Sequence, residues 1–473
     1  MQELTALSAK KLAELIKERK VSCVEVMQAY LNRINQVNKK INAIIEPLPT
    51  EQALALAQAQ AADKMLANHS SLGKLHGVPI TIKQGRKVKG FMCNLGNKSP
   101  ANFIAQEDAT VVARLRAAGT IIIGITNIPD FSMSYETDNL LYGCTHNPYH
   151  LNHSPGGSSG GEASAIAAGC SAFGIGADSG GSIRQPAHNC GIVGLKPTRG
   201  LIPITGKFPD DALGIFSYIE TQGPMARYVE DIIYTLPILI GPDGQDANTC
   251  PINLRNPEQV DLKSLRIKFY TANGVASVSA EIDSAIRKIV EQFANITEAY
   301  PIISKETYTE FEELFFYGGD KGQWLIDRMN KMRVEQVAPP FQAILDRAKL
   351  CEFSVTELRR RLLAIDKFKL TMMEFMRDAD VIICPVATNT AGLYNGERMV
   401  TQLKPKLDLA YDLTYNLPYN IMGWPAVVVR CGTGNDSLPI GLQVIAKSWR
   451  EDIALAVAKV LEEISGGWQM PNC

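Results

Sequence analysis

The sequence predicts an α/β fold, with helices layered around a buried sheet. Three observations carry that expectation. From His76 onward, short β-branched apolar runs alternate with stretches of helix length. Hydrophobic residues make up 46% of the 473-residue chain, enough for a large core. Twelve of the 37 glycines fall between Ser154 and Gly200, where the backbone must turn tightly and pack closely.

The first 70 residues read as helical. Ser22-Cys-Val-Glu25 is a capping box, and Met27, Tyr30, Leu31 and Ile34 form an amphipathic stripe. Ala53 to Ala67 is a second, alanine-rich helix. Gly77-Val-Pro-Ile-Thr-Ile-Lys83 reads as a strand ending on a lysine, Asp108 to Gly119 as a helix, and Thr120 to Ile125 as a strand. Next come a small-residue helix from Glu162, a strand over Phe173 to Ala177 and a helix opening at Ser182. Residues 241–375 are more polar and read as a largely helical periphery, with helices over Ala280–Phe293 and Val355–Arg377. Val381–Cys384 is a buried strand. Ala426–Arg430 and Ile440–Ile445 flank a Gly-Thr-Gly-Asn-Asp turn as a hairpin, and Ile453–Ile464 closes the chain as an amphipathic helix. No repeat or long linker divides this pattern, so one domain is expected: N-terminal helices (1–70), a catalytic core (71–240), the periphery (241–375) and a return to the core (376–473).

Forty-eight basic and 49 acidic residues leave a net charge of −1, which gives no electrostatic reason to expect nucleic acid as a partner. The apolar runs at Ile121–Ile125 and Ile232–Ile240 are too short to span a bilayer, and the N-terminus lacks a secretory apolar region. Ten scattered cysteines without a Cys-x-x-Cys pair read as free thiols of a cytoplasmic protein. Oligomeric state is not legible; a homodimer is compatible with the sequence.

Several motifs compete for the chemistry. Gly156-Gly-Ser158-Ser-Gly160 fits a nucleophile elbow, but that fold needs a late histidine, and none follows His188. His146, His150 and His153 have spacings that resemble a metal site, yet Pro148 and the surrounding asparagines make the stretch a loop, so no metal is expected. Gly191-Ile-Val-Gly-Leu-Lys196-Pro lacks the ending of a phosphate loop, Gly174-Ile-Gly176 lacks the third glycine of a dinucleotide fingerprint, and Ser71-Leu-Gly-Lys74 is a short chance match. What remains is free of histidine: Lys83 at a strand end, with Ser158 and Ser182 in glycine-rich turns 24 residues apart. Successive N–H groups of Ser179, Gly180, Gly181 and Ser182 can face an oxyanion. From the residues alone, a structural Gly-Ser turn beside a surface lysine is an equal alternative.

At these residues the chain resembles the amidase-signature family. The resemblance rests on Gly156-Gly-Ser-Ser-Gly-Gly-Glu162, Gly176-Ala-Asp-Ser-Gly-Gly-Ser-Ile-Arg-Gln-Pro-Ala187, Cys190-Gly-Ile-Val-Gly-Leu-Lys-Pro-Thr198 and the lysine motif at 77–83. It extends to Asp108–Gly119, Asn127–Tyr135, Gly423-Trp-Pro-Ala426 and Leu438–Gln443, and is thinner over 241–375. It implies a mixed twisted central sheet sandwiched by helices. It also implies amide hydrolysis through an acyl-enzyme, with no cofactor and a small-molecule amide as partner. Ser182 would be the nucleophile, Ser158 the proton relay after a cis peptide from Gly157, and Lys83 the base. The Ser179–Ser182 amides would form the oxyanion hole. Phe131, Ser132 and Met133 would line the acyl pocket together with Ser158, and Gln185 would tune specificity.

A solvated lysine of pKa about 10.4 is only roughly 0.04% neutral at pH 7. Burial that lowers the value to about 7.5 makes roughly a quarter of it neutral. Lys83 is therefore expected to be desolvated and in contact with Ser158. The chain departs from the family in placing Gln84-Gly-Arg86-Lys87 after the lysine, where an acid is common, and Thr198-Arg-Gly200 reverses the usual Gly-Arg order. Arg86 and Lys87 are both expected to depress the pKa of Lys83. Two rival readings stand: the glutaminase subunit of a tRNA-dependent amidotransferase, and a binding protein on a degraded amidase scaffold. The Gly-Gly-Glu162 and Met-Ser-Tyr135 segments, similar to those of fatty-acid amide hydrolases, favour a stand-alone amidase.

Overall fold

The computed structural model describes residues 4–45, 49–68, 72–99, 103–209, 214–394 and 413–473. Ser71 of the discarded Ser-x-x-Lys match lies outside them. Among these residues ten strands form one sheet: β1 (Pro79–Lys83), β2 (Ile121–Thr126), β3 (Phe173–Asp178), β4 (Val193–Lys196), β5 (Thr221–Ala226), β6 (Ile267–Phe269), β7 (Ile296–Glu298), β8 (Val381–Pro385), β9 (Ala426–Thr433) and β10 (Pro439–Ala446). Their spatial order is β2-β1-β3-β5-β4-β9-β10-β8-β6-β7. β1 runs parallel to β2 and β3, the strands from β3 to β8 pair antiparallel, and β6 is parallel to both β8 and β7. The sheet is thus mixed.

β1 to β5, β8 and β10 are buried along their whole length, so helices or loops cover both faces. The helix Cys23–Ile41 opens with the full capping box, Ser22 accepting from the Glu25 amide while Glu25 reaches back to the Ser22 amide. The helix Gly160–Ala167 packs on β1, β3 and β5, and the helix Glu451–Ser465 on β9 and β10. The small-residue helix is shorter than its composition suggests, because Gly169 turns the chain out at φ +73°.

Residues 241–375 are largely helical, and they also add two short strands to the sheet. β6 and β7, three residues each, extend the sheet from β8, and they are too short to show a periodicity. The stretch that resembled a phosphate loop contains β4.

Candidate active site

β1 and β3 run side by side, and their carboxyl ends meet at one cleft, the usual place for chemistry on parallel strands. Lys83 is the last residue of β1, and Asp178 is the last of β3, leading into Ser179-Gly-Gly-Ser182. Lys83, Ser158, Ser179, Gly180 and Ser182 all line this cleft.

The lysine is buried, with 1% of its surface exposed, and its Nζ lies 2.7 Å from Ser158 Oγ. Its pKa is lowered to about 7, by burial above all, then by Arg86 and more weakly Lys207, with Glu220 and Asp178 opposing. A buried amine poised near neutrality and touching a hydroxyl can exchange a proton with it.

The peptide between Gly157 and Ser158 is cis. Gly157 is required here, because a Cβ at this position would stand 2.6 Å from the Ser134 carbonyl oxygen and 2.7 Å from the Tyr135 carbonyl carbon. The two serine turns are tied by the Ser159 amide, which donates to the Ser182 carbonyl over 3.1 Å. Ser182 is half-buried and faces the cleft. It stands two residues ahead of the helix Arg184–Asn189 rather than opening it, and that helix has only six residues.

Asp178 shapes the loop. It accepts from the amides of Gly181 (2.8 Å) and Ile183 (3.1 Å) and from the Arg184 guanidinium (2.9 Å). Burial alone would raise its pKa, but Arg184 outweighs that and keeps the carboxyl ionised well below the usual range. The Gly181 amide is therefore engaged. The amides of Ser179, Gly180 and Ser182 have no protein acceptor among the described residues, so these three can turn to an oxyanion. Tyr135 Oη donates to the Gly180 carbonyl, steadying the same loop.

Phe131, Ser132 and Met133 line the cleft. Gln185 does not. Its Oε1 accepts from the Gly157 amide at 3.0 Å, so it supports the Ser158 turn from behind. Lys87 is a second departure from expectation. The segment around Arg86 pairs antiparallel with Lys207, and side chains alternate along an extended chain. Arg86 accordingly turns inward with Lys207, while Lys87 points out to Glu107.

Sequence reasoning missed the counter-charge. Glu220, just ahead of β5, binds Arg86 (3.1 Å), Lys207 (2.9 Å) and Ser179 Oγ (2.6 Å). Burial opposes its ionisation, yet Lys207 and Arg86 pull its pKa down to about 2. The aromatic wall is likewise unannounced in the sequence. Phe216 and Phe316 meet edge to face at 5.9 Å, with Trp324 beside them. Both features depend on segments far apart in the chain. Among the described residues no cluster of His, Cys, Asp or Glu is placed to hold a metal. His146 bonds the Leu151 carbonyl, and His150 packs on His153.

A mixed sheet covered by helices, with a buried lysine and two serines at one cleft, defines an α/β protein with a candidate active site, and the comparisons with known proteins give its family. The Amidase family model matches residues 25–455, so the chain belongs to the amidase-signature family and is an amide-hydrolysing enzyme. It is 31% identical to human fatty-acid amide hydrolase 2, over 100% of this chain and 91% of that protein. It is also 31% identical to a subunit of the glutamyl-tRNA(Gln) amidotransferase of Acinetobacter baumannii (strain AB0057), over 97% of this chain and 96% of that one. A solved structure of 6-aminohexanoate cyclic dimer hydrolase complexed with substrate superposes with a TM-score of 0.83 at 25% identity, covering 98% of each chain.

Proposed function

We propose that this enzyme cleaves carboxylic amides to acid plus ammonia or amine, with Ser182 as nucleophile, Ser158 as relay and Lys83 as base. The observation that carries the reading is the 2.7 Å contact of a buried lysine with Ser158, in the cleft that Ser182 faces. Neutral Lys83 takes the Ser158 proton as Ser158 takes that of Ser182, and Ser182 Oγ bonds to the carbonyl carbon. The amides of Ser179, Gly180 and Ser182 stabilise the oxyanion. The relay returns the proton to the leaving nitrogen as the C–N bond breaks. Water then attacks the ester, its proton passing along the same route, and releases the acid and Ser182. This cycle consumes only amide and water.

The cleft favours a stand-alone amidase with an apolar acyl group. Phe131, Phe216, Phe316 and Trp324 line it, and a compact polar side chain such as glutamine's would leave that surface unfilled. The similarity to one component of an amidotransferase supports glutaminase activity as the second reading, and hydrolysis of glutamine that rises on adding partner subunits would establish it. A panel of amides with graded acyl length, with Ser182→Ala as control, tests the first reading. Turnover that grows with apolar acyl size and vanishes in the variant supports it; undiminished turnover in the variant refutes it. A fluorophosphonate that labels Ser182 separates either enzyme from a binding protein. The free cysteines suit a reducing compartment, so we place the enzyme in the cytoplasm. Among the described residues no helix is long and apolar enough to cross a membrane.

A further inference from the structure

A carboxyl group that this reaction does not use lies beneath the lysine. Glu162 stands on the helix Gly160–Ala167 and is fully buried. Its oxygens accept from Thr81 Oγ1 and, at 2.8 Å, from Thr126 Oγ1. Thr81 precedes Lys83 by two residues on β1 and so shares its face, and Thr126 is the register partner of Lys83 on β2. Alternate residues of a strand are about 6.7 Å apart and neighbouring strands about 4.8 Å, so the carboxyl sits beside the lysine's stem. The position is built for it. A Cβ on Gly174 of β3 would fall on Glu162 Oε1, so the glycine leaves the space that the carboxyl fills.

We infer that Glu162 is a positioning residue for the base: it shares a single proton with Lys83, so that the buried pair carries no net charge whichever group holds it. This rests on the triad proposed above. Neutral amine with neutral acid, and ammonium with carboxylate, are the two uncharged arrangements, and burial disfavours either charge alone. The two groups meet in the same range. Burial raises Glu162 to about 7 against the two threonine bonds and Lys83, while Lys83 is lowered to about 7. Lys83 in turn lowers the pKa of Glu162, so the two titrations are linked. Among the described residues Lys83 is the ionisable group that bears on Glu162. Those bearing most strongly on Lys83 are Arg86 after β1, Glu220 before β5, Asp178 at the end of β3, and Lys207, and Glu162 acts beside them.

The sign follows. An ionised Glu162 holds the proton on Lys83, so Glu162→Gln lets the lysine become neutral at lower pH. The test is the rate at which a fluorophosphonate labels Ser182 across pH, where the Oγ–P bond forms, fluoride leaves and the serine proton enters the relay. In Glu162→Gln the acid limb moves down by about half a pH unit or more, which makes labelling at pH 6 about threefold faster relative to the plateau. Thr126→Val removes one donor to the carboxylate and shifts the limb the same way by less, and it decides the matter if Glu162→Gln fails to fold by circular dichroism. Limbs that coincide with the wild type's in the folded variants, with only the plateau lowered, overturn the pairing and leave the triad standing. A wild type that is not labelled at Ser182 removes the triad, and the pairing with it.

Discussion

Arg86 reaches Glu220 at 3.1 Å where both side chains are almost wholly buried, and Lys207 closes on the same carboxylate at 2.9 Å. This knot resolves the oddity of the chain's Gln-Gly-Arg-Lys run: a cation stands beside Lys83 without being left unpaired.

Glu220→Gln strands two cations in the interior. Breaking a buried pair costs about 3–5 kcal/mol, and urea denaturation at neutral pH is expected to register a loss of that order. The folded pKa of Glu220 is near 2 against an ordinary 4.5, so its contribution is complete above about 4.5 and fades as pH falls toward 2. Wild type and variant should therefore converge in stability in strong acid. A variant as stable as wild type at neutral pH would show that the knot is not structural.

Arg86 is the charged group that lowers the Lys83 pKa most after burial. Activity is expected to rise with pH through about 7 as Lys83 gives up its proton. Arg86→Gln should move that limb to higher pH, seen in kcat/KM against pH for any amide that is turned over.

Lys83→Ala removes the base and should lower kcat by about 10²–10⁴-fold with a smaller change in KM. Lys83→Arg should not rescue it, because a guanidinium stays protonated at any working pH. Steady-state kinetics on one amide, with folding checked by circular dichroism, decides both.

Much of this site is legible in one sequence, and the reason is locality. Lys83, Ser158 and Ser182 each sit in a short run whose turn and strand chemistry is set by adjacent residues, and β1 to β3 are buried runs of five or six residues. The illegible parts depend on closure of distant segments. Glu220 meets Arg86 across 134 positions, and Ala338 donates its amide to Asp130 across 208, fixing the loop that carries Phe131. The outward turn of Lys87 escapes a sequence reading because its direction is set by pairing with the segment at Gly206–Lys207, which its own neighbours do not announce. The place of Gln185 escapes it because a helical position gives a residue's height but not whether it faces the cleft or the Gly157 turn behind it.

The aromatic wall makes a further prediction. Trp324→Ala removes a large apolar face from the cleft. The kcat/KM for long or aromatic acyl amides should fall at least about tenfold relative to an acetyl amide, the scale of one or two methylenes in an apolar pocket. Equal losses across the panel would mean that Trp324 supports folding rather than selection.

The central claim is that Ser182 carries the acyl group. Turnover of an active amide, quenched in acid and mapped by peptide mass spectrometry, should show the acyl mass on Ser182 and no adduct in Ser182→Ala. An acyl group on any other residue, or turnover that persists in Ser182→Ala, would contradict it.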